Sequence, residues 1–213
     1  MLRKNNFWVI FFYFFNILIG VIYIKPIIGV EEWPYNDIDG DNIYEINREI
    51  INKIVECGGI PIGIFPSSDL SIVDGIIKPG AYKIYESDRN IYNYCVENDI
   101  PYLGICCGMQ LMTNNSFKKV MNHKNSFHYI NIEKNTLLHD ILNTDRIMVN
   151  SKHNYCITNL DGFIPCAYAD DGVIEAIYKK DNKFILGVQW HPELENNEFS
   201  SKIFTKFIEN AKK

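Results

Sequence analysis

Short apolar runs alternate with polar, glycine-rich breaks over residues 25–105, and stretches of helical spacing lie between them. Residues 26–30 are an apolar run too short for a helix and suited to a buried strand. Residues 31–40, with Pro34, Asn36, Asp37 and Gly40, read as a loop. Asn42 and Glu45 have capping-box spacing, and Ile43, Ile46, Ile50, Ile51, Ile54 and Val55 follow at helical intervals. The pattern therefore predicts a helix that stops at Gly58-Gly59. Residues 60–65 form a second strand, 67–73 a short helix, and 75–78 a third strand closed by Pro79-Gly80-Ala81. A helix over 88–98 and a strand over 101–105 complete this half.

The second half has a different rhythm. Residues 127–133 alternate, 147–149 are apolar, and 173–178 and 184–189 flank a turn at Asp181-Asn182, as in a hairpin. A last helix spans 198–211, with Phe199, Ile203, Phe204, Phe207 and Ile208 on one side. The whole pattern predicts an α/β fold. Its sheet is mostly parallel, with helices on both faces and an antiparallel C-terminal portion. Chemistry in such sheets sits at the carboxyl ends of the strands.

Composition narrows the function classes. The chain has 213 residues, 47% of them hydrophobic, enough for one sizeable core, placed at residues 25–213. A net charge of −5 gives no general pull toward nucleic acid. The six cysteines show no C-x-x-C pair and no zinc-type spacing, so they are expected to be reduced. His123, His128, His139 and His153 lack helical metal-ligand spacing with carboxylates, which argues against a metalloenzyme, and no cofactor motif is present. Residues 1–24 stand apart. Arg3 and Lys4 precede an apolar run over 7–24 long enough to cross a bilayer. It reads as a membrane anchor or as an extension upstream of the working start. The expectation is a cytoplasmic catalytic domain, the alternative membrane contact through residues 7–24.

The chemistry concentrates at Gly104-Ile-Cys-Cys-Gly108. A strand ends at Ile105, Cys106 follows, and Met109–Met112 can wind as a helix. This is the strand–turn–helix layout of a nucleophile elbow with cysteine at the tip. Its flanking glycines suit a turn too sharp for side chains, and its helix start favours thiolate. A buried structural cysteine would also fit Gly-x-Cys-x-Gly alone. Gly187-Val-Gln-Trp-His-Pro-Glu193 decides against that. His191, leaving a strand beside Pro192 and Glu193, suits a base with a carboxylate to set its tautomer.

Together these two segments resemble the class I glutamine amidotransferase-like superfamily, and within it the γ-glutamyl hydrolase branch, which is peptidase C26-like. Lys25-Pro-Ile-Ile-Gly29, Asp74–Gly80, Val149-Asn-Ser-Lys-His153 and Asp171–Ile177 fit in order, so the resemblance covers about residues 25–210. It implies a flavodoxin-like sheet and a triad of Cys106 (nucleophile), His191 (base, then acid) and Glu193 (orienter). It further implies oxyanion donors among the backbone N–H groups of Cys107 and of Gly80 or Ala81, and substrate-binding positions at Gln110, Asn150, Ser151 and His153. The implied partner is a small γ-glutamyl substrate, with no metal, no cofactor and no nucleic acid. The chain departs from the family pattern at Cys107, where arginine is usual, at Ala81, where glycine is usual, and over Asn114–Lys124, which replaces a glycine-rich segment. Lys118, Lys119, His123 and Lys124 add positive charge there. That charge reads as a solvated loop, or as recognition of an anionic leaving group such as a nucleoside phosphoramidate. The other function classes are a glutaminase subunit that feeds a synthase and a non-enzymatic binding relative. The second of these predicts a broken triad.

Overall fold

The computed structural model describes residues 24–36, 39–114 and 116–212. The apolar run at 7–24 therefore lies almost wholly outside the described residues. Among those described, no helix is long and apolar enough to cross a membrane.

The elements follow the chain. β1 (Ile27–Glu31) is followed by the two-stranded ribbon β2 (Trp33–Asn36) and β3 (Asn42–Glu45), then α1 (Arg48–Glu56), β4 (Ile60–Ile64) and β5 (Gly75–Lys78). Next come α2 (Glu86–Glu97), β6 (Tyr102–Ile105), α3 (Cys107–Met112), β7 (Phe117–Lys119), β8 (Lys124–Ile132) and α4 (Leu137–Leu142). The chain continues through β9 (Arg146–Lys152), β10 (Tyr155–Ile157), β11 (Ile164–Ala169), β12 (Ile174–Lys179), β13 (Ile185–Val188) and α5 (Glu198–Ala211). Nine strands make the main sheet in the order β4-β1-β5-β6-β13-β12-β11-β8-β9. The first five are parallel and the rest pair antiparallel. Counted along the chain, the parallel block has the flavodoxin-like order 2-1-3-4-5.

Strand alternation splits the core in two. Ile28, Val30, Ile77, Leu103 and Ile105 face α1 and α5, where Ile50, Ile54, Phe204, Phe207 and Ile208 are buried. Ile76 and Tyr102 point the other way, onto Ile91, Tyr92 and Cys95 of α2 and Met109 and Leu111 of α3. Burying each such side chain contributes about 1.5–3 kcal/mol. Pro61 is tolerated because β4 is the sheet edge.

The predicted helix start is corrected. Asn42–Glu45 is strand β3, and the cap of α1 is Asn47, whose side chain accepts the Glu49 N–H at 2.8 Å. Ile43 and Tyr44 are exposed on the ribbon, so they never join the helix's buried face. The predicted loop at 31–40 likewise contains β2. The segment Asn114–Lys124 holds β7, which pairs with β10. The final helix spans 198–211 as expected, capped by Asn197.

Candidate active site

Three loops leave the carboxyl ends of the neighbouring parallel strands β5, β6 and β13. Register brings them together. Lys78 of β5 and Gly187 of β13 both lie opposite Gly104 of β6. Gly80 and Cys106, each two residues further on, reach the same level, and His191 follows from the third strand.

Cys106 sits at φ 54°, ψ −104°, a backbone conformation that side chains other than glycine rarely adopt. Such a residue costs about 1–3 kcal/mol and persists only where its surroundings over-determine it. Here its N–H donates to the Val188 carbonyl at 2.8 Å, and its own carbonyl accepts from Met109 and Gln110 at 3.1 Å each. The flanking glycines are steric requirements. A Cβ on Gly104 would lie 2.5 Å from the Gly108 carbonyl oxygen, and one on Gly108 would overlap the Lys78 carbonyl oxygen.

His191 Nδ1 lies 2.7 Å from Glu193 Oε1, and the other side of the ring stands beside Cys106 across Gly80. Burial disfavours the imidazolium. The hydrogen bonds to Cys106 and Glu193, with their charges, outweigh it and raise the His191 pKa from 6.5 to about 10. The raised value means that this interaction stabilises the fold fully below pH 6.5 and is lost as pH rises through about 10. Glu193→Gln removes one of the raising causes. The His191 titration, followed by ring-proton NMR, is then expected to move down by about 1–3 pH units. An unmoved titration would mean that Glu193 does not stabilise the charged ring.

Gly80 closes the other side. A Cβ there would stand 2.7 Å from His191 Cε1 and 3.3 Å from Cys106 Cβ, so only glycine lets the loop lie this close to the pair. The Ala81 N–H acts on the neighbouring Cys107 thiol, favouring its charged form. Burial, then the adjacent Cys106, pushes the Cys107 thiol up to about 12, against the opposing pull of Lys78 and the Ala81 N–H. Cys107 is therefore a packed, protonated thiol at neutral pH.

The structure thus gathers Cys106, His191, Glu193, Gly80 and Cys107 in one place. The other predicted site residues are engaged by the protein itself. Gln110 Nε2 donates to the Tyr155 carbonyl at 3.0 Å and to Gln189 Oε1 at 3.2 Å. Asn150 clamps the histidine: its Nδ2 donates to the His191 carbonyl at 2.7 Å and its Oδ1 accepts the His191 N–H at 3.1 Å. Ser151 Oγ donates to the His123 carbonyl at 2.6 Å, and His153 is buried against His123. His123 is itself buried, so it is not part of a solvated loop.

Sequence reasoning missed the support beneath the elbow. Lys78 Nζ lies 2.9 Å from Glu31 and 3.2 Å from Asp88, all three buried. The available signal was a lysine closing an otherwise apolar strand, Gly75-Ile-Ile-Lys78. It also missed that His123, His128 and His153 converge, because neighbouring strands rather than one helix bring them together.

Comparison with known proteins identifies the family and the fold. The peptidase C26 family profile matches residues 81–193. The chain is 29% identical to the glutamine amidotransferase-like protein RP404 of Rickettsia prowazekii, over 88% of this chain and 98% of that one. It is 34% identical to a glutamine-hydrolysing GMP synthase subunit of Picrophilus torridus, over 68% and 80% respectively. In fold it is similar to a GMP synthase subunit of Thermoplasma acidophilum, with TM-score 0.72 and 22% identity over 88% and 94% of the two chains. It is also similar to the glutaminase domain of Trypanosoma brucei CTP synthase, with TM-score 0.66 and 16% identity over 87% and 93%. The profile match spans the elbow cysteine and the strand-exit histidine and glutamate, and the chain belongs to the peptidase C26 family, amide-bond hydrolases within the class I glutamine amidotransferase-like superfamily.

Proposed function

We propose that the chain is a cysteine-dependent hydrolase that cleaves a γ-glutamyl C–N bond and releases L-glutamate from a small conjugate. The observation that carries this reading is Cys106, held at φ 54° on its turn beside His191, whose Nδ1 meets Glu193 at 2.7 Å. The Cys106 thiolate adds to the side-chain carbonyl of the γ-glutamyl group. The C–N bond breaks, His191 gives its proton to the departing nitrogen, and a γ-glutamyl thioester remains. Water, losing a proton to His191, then adds to the thioester, and glutamate leaves as the C–S bond breaks. Glu193 holds the imidazole tautomer throughout. The backbone N–H groups of Cys107 and Gly80 are the assigned oxyanion donors, each worth about 3 kcal/mol in such a site. Ala81, whose N–H favours the charged form of the Cys107 thiol, is the weaker candidate.

The leaving group is a small amine, as in γ-glutamyl-γ-aminobutyrate, or a nucleoside phosphoramidate, as in γ-glutamyl-CDP-amidate of surface-polysaccharide biosynthesis. The second is supported by exposed cations. Lys119 pairs across the ribbon with Tyr155, whose carbonyl holds Gln110 of the elbow helix, and Lys118 is its neighbour. A second reading, a glutaminase subunit that delivers ammonia to a synthase, is supported by the likeness to GMP and CTP synthases. Glutamate release by the isolated chain from γ-glutamyl-CDP-amidate, γ-glutamyl-γ-aminobutyrate and glutamine separates the three. The amidate is expected to be turned over with the highest kcat/KM. Higher kcat/KM for the amine conjugate would reject the phosphoramidate. Preference for glutamine, raised by an added synthase, would reject the stand-alone hydrolase.

A further inference from the structure

A second cluster of ionisable side chains lies outside the elbow and its partners. Glu175 of β12 is completely buried, and three imidazoles surround one of its oxygens. His123 Nδ1, His128 Nε2 and His153 Nε2 lie 3.5, 3.3 and 3.4 Å from Glu175 Oε1. None of these approaches meets hydrogen-bond geometry, and each is an ion pair only where the ring carries a second proton. Both Glu175 oxygens and both His128 nitrogens are buried without a hydrogen-bond partner among the described residues. A buried carboxylate and a buried imidazole left this way are costly unless a further group joins them.

The outer contacts say what kind of group. His123 Nε2 lies 3.0 Å from Asp171 Oδ2, and His153 Nδ1 lies 3.0 Å from the Tyr155 carbonyl. Each acceptor takes the ring proton on its own side. The opposite nitrogens, His123 Nδ1 and His153 Nε2, then carry lone pairs and face each other at 3.1 Å beside a carboxylate. Two lone pairs and an anion at that spacing require a cation among them. A carboxylate or backbone carbonyl on the far nitrogen is also the usual outer partner of a metal-bound histidine. Ligand atoms of a tetrahedral zinc-type site stand about 3.3 Å apart, as follows from bonds of about 2.0–2.1 Å. The separations around Glu175 Oε1 match that edge, and the ligand atoms of His123, His128 and Glu175 lie within 4.8 Å of one another.

We propose that His123, His128 and Glu175, with His153 completing the shell, form a binding site for one divalent transition metal of the zinc class. Three imidazoles and one carboxylate suit Zn²⁺ or its first-row neighbours rather than Mg²⁺ or Ca²⁺. The site is structural. It ties β8 and the segment before it to β9 and β12. It also meets the catalytic loops through two links: the Glu175 carbonyl accepts the Gln189 N–H at 2.7 Å, and the Tyr155 carbonyl is shared by His153 and Gln110. The metal would therefore fix the wall that follows the elbow. The site is independent of which γ-glutamyl compound is cleaved.

The test uses the full chain carrying Cys106→Ala, so that the elbow sulfur cannot bind metal. The protein is stripped with a chelator, titrated with Zn²⁺ alone, and its bound metal counted by mass spectrometry. About one Zn²⁺ per chain is expected, with a rise in the unfolding temperature, and Co²⁺ should give a visible spectrum of nitrogen and oxygen ligation. Glu175→Gln and His128→Asn, made separately, should each weaken Zn²⁺ binding by at least about 100-fold. His128 is partly accessible, with 19% of its side chain exposed, so that variant remains informative if the glutamine variant fails to fold. No retained Zn²⁺ would overturn the proposal and leave a proton on His123 as the cation of the cluster. Equal Zn²⁺ binding by the folded variants would overturn it as well.

Discussion

Replacing Cys106 with alanine is expected to lower glutamate release by roughly a million-fold, leaving only what binding and the oxyanion donors supply. The size follows from the proposed mechanism, in which without sulfur no thioester forms and His191 and Glu193 have no nucleophile to activate. The adjacent Cys107 provides the control. Its thiol is pushed up to about 12 and it is buried, so it cannot take over at neutral pH. Cys107→Ala should leave turnover within about tenfold of the parent. Of the two neighbours, alkylation at neutral pH followed by peptide mass mapping should mark Cys106 alone. Turnover above about one-hundredth of the parent in the Cys106→Ala chain would reject the covalent route.

Gly108→Ala is expected to be the most damaging single-methyl addition near the site. The new Cβ would overlap the Lys78 carbonyl oxygen and come 3.0 Å from Lys78 Cγ, and neither can retreat freely. That carbonyl is backbone, and the lysine is held between Glu31 and Asp88 in the buried layer under the elbow. The expected cost is about 3 kcal/mol, the upper end of ordinary overpacking. For a chain of this length that is roughly a 10 °C fall in melting temperature, with turnover lost even where the protein remains folded. Gly172→Ala is the comparison. Its φ is +84° but nothing lies within 4 Å of the added carbon, so only backbone strain of about 1 kcal/mol is expected. Calorimetry giving equal losses for the two variants would show that the overlap at Gly108 relaxes and that the elbow is not rigid.

The parts of the fold legible in the sequence were those where local pattern and tertiary environment agree. The strands β1, β5 and β6 are apolar because the sheet buries them, and α5 shows its buried stripe as simple spacing. The elbow was legible because its sharp turn demands glycine on both sides of Cys106. The false helix start at Asn42 arose where two asparagines, Asn42 and Asn47, compete as caps. Only the sheet-side geometry of the β2–β3 ribbon chooses between them. Asn150 marks another limit. Its place in Val149-Asn-Ser was readable, but its clamp on the His191 backbone depends on β9 lying beside the His191 loop, a contact 41 residues distant in sequence. The histidine cluster was hidden for the same reason: His123, His128, His153 and Glu175 come from separate strands and loops, and no single window contains them.

The place of β13 in the sheet has a consequence for how the protein is made. Among the described residues it is the last strand in sequence, yet it lies in the middle of the sheet, parallel to β6 on one side and antiparallel to β12 on the other. Without residues 185–188, β6 and β12 would each have an open edge where β13 belongs. Such edges invite pairing with other chains. The same late insertion delivers His191, three residues past the strand. A chain interrupted before that point would carry Cys106 without His191 and Glu193 beside it, so under the proposed mechanism the sulfur gains its base only with the step that closes the sheet.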